Sequence, residues 1–221
     1  MPENDTVLYA QWSPDGEIIA NLFPDPNLAQ VVANAVSGGD INARLNSEMI
    51  NNCTYLNAGR MGIKDVSGNS LTSFSTELCL LPDLKILDLK NNKITEIPKE
   101  IELLTNLNEL LMEKNKLTGI PIELGNLNSL YALNLARNQI VEIPKEICNL
   151  PSLRILELSV NQITSIPGEI KNLVNTLAGL NLGNNLLTSI PTEVCELVNL
   201  DAFAAYGNKL TAIPHEIDNL K

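Results

Sequence analysis

Aromatic rings are scarce in this chain of 221 residues, where three Phe, four Tyr and one Trp make up 4%. Positive charge is scarce too. The net charge is −11, and the arginines are Arg44, Arg60, Arg137 and Arg154 alone, which argues against a nucleic-acid or anionic-membrane partner. No apolar run approaches the ~18 residues of a membrane span, so no membrane insertion is expected. His215 is the single histidine. No glycine-rich phosphate loop, HExxH or GxSxG occurs, and the four cysteines form no CxxC pair. No enzyme activity, cofactor or metal is therefore expected. No secretory signal opens the chain. Met1-Pro2-Glu3 runs straight into a strand-like stretch and reads as an excised fragment with an added methionine, so the missing leader is uninformative about compartment.

What the chain has in abundance is one phrase of about 23 residues, written six times between residues 84 and 221. Its first copy reads Leu84-x-x-Leu87-x-Leu89-x-x-Asn92-x-Ile94-x-x-Ile97-Pro98-x-Glu100-Ile101-x-x-Leu104. The leading leucine returns at Leu107, Leu130, Leu153, Leu177 and Leu200. The proline returns at Pro121, Pro144, Pro167, Pro191 and Pro214. This is the leucine-rich-repeat pattern, and six copies in phase make the match specific.

The pattern has a physical reading. A period of two in Leu87-x-Leu89 puts both leucines on one side of a short strand, with Ile86 and Asp88 on the other. The chain then turns at an asparagine, whose amide offers donors and an acceptor to backbone groups the turn leaves unpaired. Stacked copies would form a structural ladder of Asn92, Asn115, Asn138, Asn161, Asn185 and Asn208. Pro98 suits the first turn of a helix, where its missing N–H lacks a partner anyway, and Glu100 complements the helix dipole. One copy buries too little apolar surface to offset the entropy of ordering its backbone, so the copies must stack. The expected fold is α/β: a leucine-rich-repeat solenoid, a horseshoe arc with parallel concave strands, short convex helical turns and a helical N-terminal cap.

The same register disposes of three tempting sites. Glu100, Glu123, Glu146, Glu169, Glu193 and Glu216 recur at the start of every convex turn, as a structural role requires. His215 shares a variable slot with Lys99, Ile122, Lys145, Gly168 and Thr192, which favours an exposed residue over a catalytic base. Cys79, Cys148 and Cys195 share another slot. At ~4.8 Å per stacked strand Cys148 and Cys195 lie ~10 Å apart, beyond the ~7 Å Cα limit of a disulfide. Free thiols are expected, Cys53 included.

In chain order, residues 1–16 read as the end of a truncated β-repeat or a linker, 17–60 as the cap, 61–83 as a degenerate transitional repeat, and 84–221 as the six repeats. Residues 6–12 alternate like a strand, and Ser13-Pro14-Asp15-Gly16 is a turn. Asp25 can cap a helix with Pro26 in first position and a stripe of Leu28, Val31, Val32, Ala35 and Val36, stopped by Gly38 and Gly39. Asp40 can cap a second helix carrying Ile41 and Leu45. Counted back in the repeat register, Lys64 takes a core leucine's slot and Ser75 the proline's. The fourth spacing is 24 residues, with the extra residue near 174–176 to be absorbed in a loop. Phe203 and Ala205 replace Leu-x-Leu in the last copy. The chain then stops without a polar capping segment, so that copy is exposed or continues into a longer array.

Leu8-Tyr9-Ala10-Gln11-Trp12 resembles the closing strand of the small B repeat of internalin-type bacterial surface proteins. Phe23-Pro24-Asp25-Pro26-Asn27-Leu28-Ala29, with Leu56-Asn57-Ala58 and Gly62-Ile63-Lys64-Asp65, resembles their helical cap. The repeats depart from that family, which uses a 22-residue unit; Ile-Pro-x-Glu-Ile is closer to the repeats of intracellular scaffolds and several bacterial families. The resemblance implies a non-catalytic, monomeric protein-binding module of a secreted or cell-surface bacterial protein, serving adhesion or host interaction. The repeat type and unpaired cysteines support a cytoplasmic scaffold as the alternative, and a spacer that binds nothing is a third reading.

Binding would use the concave strand face, with Asp88, Lys90, Glu109, Glu113, Asn134, Arg137, Glu157, Asn181 and Tyr206 as candidate contacts with a protein partner. Tyr and Arg are typical anchors, and Tyr131 and Arg154 stand one position earlier on their strands. Small residues dominate the second half of the face. Either a partner's backbone approaches closely there, or the face is solvated.

Overall fold

The computed structural model describes residues 19–23, 26–44, 49, 53–57 and 71–220. Its frame is one sheet of seven parallel strands in chain order. These are β1 (Tyr55–Asn57), β2 (Ile86–Asp88), β3 (Glu109–Leu111), β4 (Ala132–Asn134), β5 (Ile155–Glu157), β6 (Gly179–Asn181) and β7 (Ala202–Ala204). The register stays in step: Leu56 pairs with Leu87, Leu110 with Leu133, Leu156 with Leu180. The leucines of the period-two pattern point inward, and Leu87, Leu110, Leu133 and Leu156 are fully buried. One contiguous core runs from Ile19 and Phe23 of the cap to Leu197 and Leu200. Among the described residues no helix is long and apolar enough to cross a membrane.

Each ladder asparagine joins two copies. Asn115 Oδ1 accepts the Ile94 N–H at 3.0 Å, while its Nδ2 donates to Leu89 O of the preceding copy at 2.9 Å and to Met112 O of its own at 3.0 Å. Asn138, Asn161, Asn185 and Asn208 repeat this set. The residue ahead of each turns the corner with a positive φ: Asn91, Lys114 and Arg137 at 57°, Val160 and Asn184 at 56°, and Gly207 at 66°. Asn and Gly take this conformation readily, whereas a β-branched side chain crowds the backbone there. Val160→Asn should therefore stabilise the fold by about 1 kcal/mol, read as a higher urea midpoint. An unchanged midpoint would mean that the valine turn is not strained.

The convex side is built from 3-10 turns, not α-helix, and the proline stands ahead of each turn instead of inside it. Pro98 is extended at φ −70° and ψ 153°, and its carbonyl accepts the Ile101 N–H at 3.1 Å. Three residues per turn bring Ile101 and Leu104 onto one side, and both are buried. In an α-helical turn the same pair would stand about 60° out of line. Glu100 does fall in the first turn.

The cap differs in detail. Its short helix α1 (Ile19–Leu22) is followed by α2 (Pro26–Val36), which buries Leu28, Ala29, Val32 and Ala33, while Ala35 is exposed. Gly38 and Gly39 end it, with Gly38 at φ 68° and the Gly39 N–H returning to Ala33 O at 3.0 Å. Asp40 caps no helix over residues 41–42; its Oδ1 accepts the Asn42 N–H at 2.9 Å in a local turn. The strand before β2 is Tyr55–Asn57, so Leu56 and not Lys64 stands beside Leu87. The chain between them is longer than one repeat, and counting back by 23 misses the strand. Leu71, Phe74, Leu78 and Leu81 are buried as their slots require. The strand-like stretch 6–12, the turn 13–16, Asp25, Leu45, the Ala58 and 62–65 phrases and Asn69 lie outside the described residues. The 24-residue copy keeps Ile155 level with Gly179, because its 3-10 turn lengthens to Gly168–Leu173 and Leu177 N–H closes on Leu173 O at 2.9 Å.

Candidate protein-binding face

The strand face carries the nine candidates, and the structure turns four of them onto their own backbone. Asp88 Oδ1 accepts the Lys90 N–H at 3.1 Å, and Asn134 Oδ1 accepts that of Ala136 at 3.1 Å. Glu157 Oε1 accepts the Ser159 N–H at 2.9 Å, and Asn181 Oδ1 accepts that of Gly183 at 3.0 Å. Each bond spans two residues, the local side-chain-to-backbone pattern that Asp and Asn favour. Lys90 Nζ adds an ion pair to the buried Asp88 at 3.2 Å. Asn181 Nδ2 donates to Glu157 Oε2 at 2.9 Å across neighbouring strands. Arg137 Nε meets Glu113 Oε1 at 3.5 Å, and Glu109 is half-buried. The polar row is thus largely occupied with holding its own turns.

What the face presents outward is a smaller set. Tyr206 is 62% exposed, Tyr131 and Ile155 43% each, and Val160 37%; Arg137 stands exposed among them. The Tyr206 ring lies over Gly183, where an added Cβ would come within 2.7 Å of a ring carbon. Ile155 and Val160 were not among the candidates. The alternation marks their slots as outward, but an apolar side chain there carries no polar signal of a contact.

The four cysteines are free and buried. Burial pushes the Cys53 thiol up to about 11. Burial, with Glu100 and Glu77 adding to it, takes Cys79 to about 12. Cys148 also reaches about 12, through burial and then Glu169 and Glu146. Cys195 is raised by burial and by Glu216. Thiolate is the reactive form, so these groups are inert in the folded chain. An unfolded thiol ionises near 9.0, so the stability these thiols supply is complete below that pH and is lost as pH rises toward 12. Urea midpoints should be level between about pH 7 and 8 and lower at about pH 10.5. A midpoint that holds at the higher pH would contradict the burial effect.

The family model described as leucine rich repeat matches residues 65–117, 105–163 and 128–176. No curated protein matches the chain. Among solved structures, a leucine-rich-repeat protein of Leptospira interrogans is 36% identical over 78% of this chain and 48% of its own, with a TM-score of 0.56. The Arabidopsis receptor kinase HAESA, solved with the peptide hormone IDA and the co-receptor SERK1, is 37% identical over 67% of this chain and 26% of its own, with a TM-score of 0.60. The chain therefore spans less than half the length of either. Internalin C2 from Listeria monocytogenes covers 96% of both chains at 24% identity and a TM-score of 0.74, a likeness of fold. With the family's pattern matched from residue 65 to residue 176, and the described part of that span folded into the sheet and ladder above, the chain belongs to the leucine-rich repeat family.

Proposed function

We propose that this chain is a non-catalytic protein-binding module acting through its strand face, on a secreted or cell-surface bacterial protein engaged in adhesion or host contact. The observation that carries the reading is the exposure of Tyr131 and Arg137 on either side of β4, Ile155 on β5 and Tyr206 just past β7, above polar groups already bonded to one another and to backbone. Large anchors on a preorganised surface lose little freedom on binding. Gly179, Ala202 and Ala204 leave room for a partner's backbone between them. HAESA, which shares the repeat, was solved with a peptide hormone and a co-receptor, a precedent for protein partners. The surface placement rests on the cap and closing-strand motifs near the N-terminus. Four unpaired thiols favour the second reading, a cytoplasmic scaffold, since disulfides persist mainly in oxidising compartments.

Surface plasmon resonance against immobilised host matrix proteins tests the proposal. Tyr206→Ala should weaken a saturable interaction by roughly tenfold or more, as loss of an anchor does, with Arg137→Ala as the companion. Saturable binding untouched by either change would move the site off this face. No saturable binding at all would favour the spacer.

A further inference from the structure

At the 24-residue copy the solenoid's edge, where chain enters the strands, opens into a cleft of about 550 Å³. Asn175 and Thr176 of the lengthened copy form part of its wall. Ser152 Oγ reaches back to Asn128 O of the preceding copy at 2.7 Å, and Asn199 Nδ2 reaches Val174 O at 2.9 Å. Thr176, between them, turns instead to Leu173 O of its own copy at 3.5 Å. The seam beside Ser152 is left without that stitch, and Asn175 and Thr176 line the opening.

Two opposite charges flank this cleft. Arg154 precedes β5, Asp201 precedes β7, and the small Ala178 lies between, its N–H on Arg154 O at 2.9 Å and its carbonyl on the Asp201 N–H at 2.8 Å. Both charged residues are exposed. Neither side chain has a hydrogen bond or ion pair with any described residue. Their Cα atoms stand two strand spacings apart, ~10 Å.

We propose that this cleft binds a short free peptide, with the C-terminal carboxylate on Arg154 and the N-terminal ammonium on Asp201. An unpaired cation and anion held apart call for a ligand carrying both signs. The guanidinium fork matches a carboxylate in two parallel hydrogen bonds. Three extended residues span ~10 Å, the separation of the two charges. Between them Asn175, Thr176 and the Asn199 carbonyl offer donors and acceptors to the peptide backbone, and Ala178 allows it to lie close. A zwitterion is neutral overall and escapes the repulsion that a chain of net charge −11 exerts on anions. The volume falls within the ~300–1,000 Å³ usual for ligand sites. Arg154 stands beside Tyr131 at the rim of the strand face, but the site uses none of the anchors Arg137, Ile155 and Tyr206, so it stands or falls independently of the strand-face reading.

Trialanine titrated into the isotope-labelled full chain, followed by NMR, provides the test. Saturable shifts are expected at residues 152–154, 175–178 and 198–201. C-terminal amidation should weaken binding roughly tenfold in the native chain and make no difference in Arg154→Gln, and N-terminal acetylation should do the same through Asp201→Asn. Both residues are exposed, so the variants should keep the native circular dichroism. Absence of saturable shifts, shifts confined to the strand face, or binding indifferent to both caps would overturn the proposal.

Discussion

Asn138→Ala is expected to cost about 3–5 kcal/mol and to lower the melting temperature by roughly 10 °C. Asn138 Nδ2 donates to Met112 O at 3.0 Å, Leu135 O at 2.9 Å and Ala136 O at 3.2 Å, and Oδ1 accepts the Leu117 N–H at 3.0 Å. Alanine supplies none of these bonds. The loss exceeds that of ordinary hydrogen bonds, because the Leu117 N–H is left without a partner in a buried seam at ~1–3 kcal/mol, while Met112 O and Leu135 O each lose a second donor and keep Asn115 and Asn161. Position along the solenoid sets the size. Asn208 makes a similar set but is only half-buried, so water can replace part of it, and Asn208→Ala should cost about 1–2 kcal/mol. Thermal melts by circular dichroism decide the matter. A loss under about 1 kcal/mol at Asn138 would mean that water enters the seam and that the ladder orders the turns without stabilising them.

The contrast between these two asparagines also shows what a repeated sequence makes legible. Leu87, Asn92, Ile97 and Ile101 could each be misread alone, but six copies in phase leave one consistent assignment. Strand register, ladder and core all followed from it. Reading weakened wherever a feature occurs once. Leu56 escaped because the stretch before Ile86 is longer than a repeat, so the spacing assigned its slot to Lys64. An i, i+7 spacing from Leu28 puts Ala35 on the apolar stripe, while α2 turns Ala29 and Ala33 inward instead. On the strand face the sequence distinguishes inward from outward positions, but not what an outward side chain does next. Asp88, Asn134, Glu157 and Asn181 were candidate contacts because they are polar and face out. Backbone donors two residues on took them first, and the recurrence of Asp, Asn and Glu in that one slot was the signal available. The turn type was hidden for a similar reason: proline is compatible with both the residue before a helix and its first position.

Gly125→Ala is expected to destabilise the fold by about 2 kcal/mol, whereas Gly119→Ala, a few residues away, should be neutral or gain about 0.5 kcal/mol. Both changes add one methyl group. A Cβ at Gly125 would stand 2.7 Å from the Glu146 Cβ and 2.9 Å from its carbonyl oxygen, where the turn Ile122–Asn126 stacks on Lys145–Asn149. One of those contacts is backbone, so the stacked turns must part. A Cβ at Gly119 meets nothing within 4 Å, and Ala212 occupies the equivalent slot in the last copy. Side chains are not excluded from Gly125's slot in general, since Cys148 and Cys195 fill it elsewhere. The tight seam belongs to this one pair of turns. Urea midpoints of the two variants separate the cases: a lower midpoint for Gly125→Ala alone locates the limit in the stacking, and equal midpoints would show that the convex turns can slide. Such sliding would matter beyond stability, because the second of these copies carries Tyr131 and Arg137, and the Arg137–Glu113 ion pair that joins it to the first is fixed only if the turns behind it are.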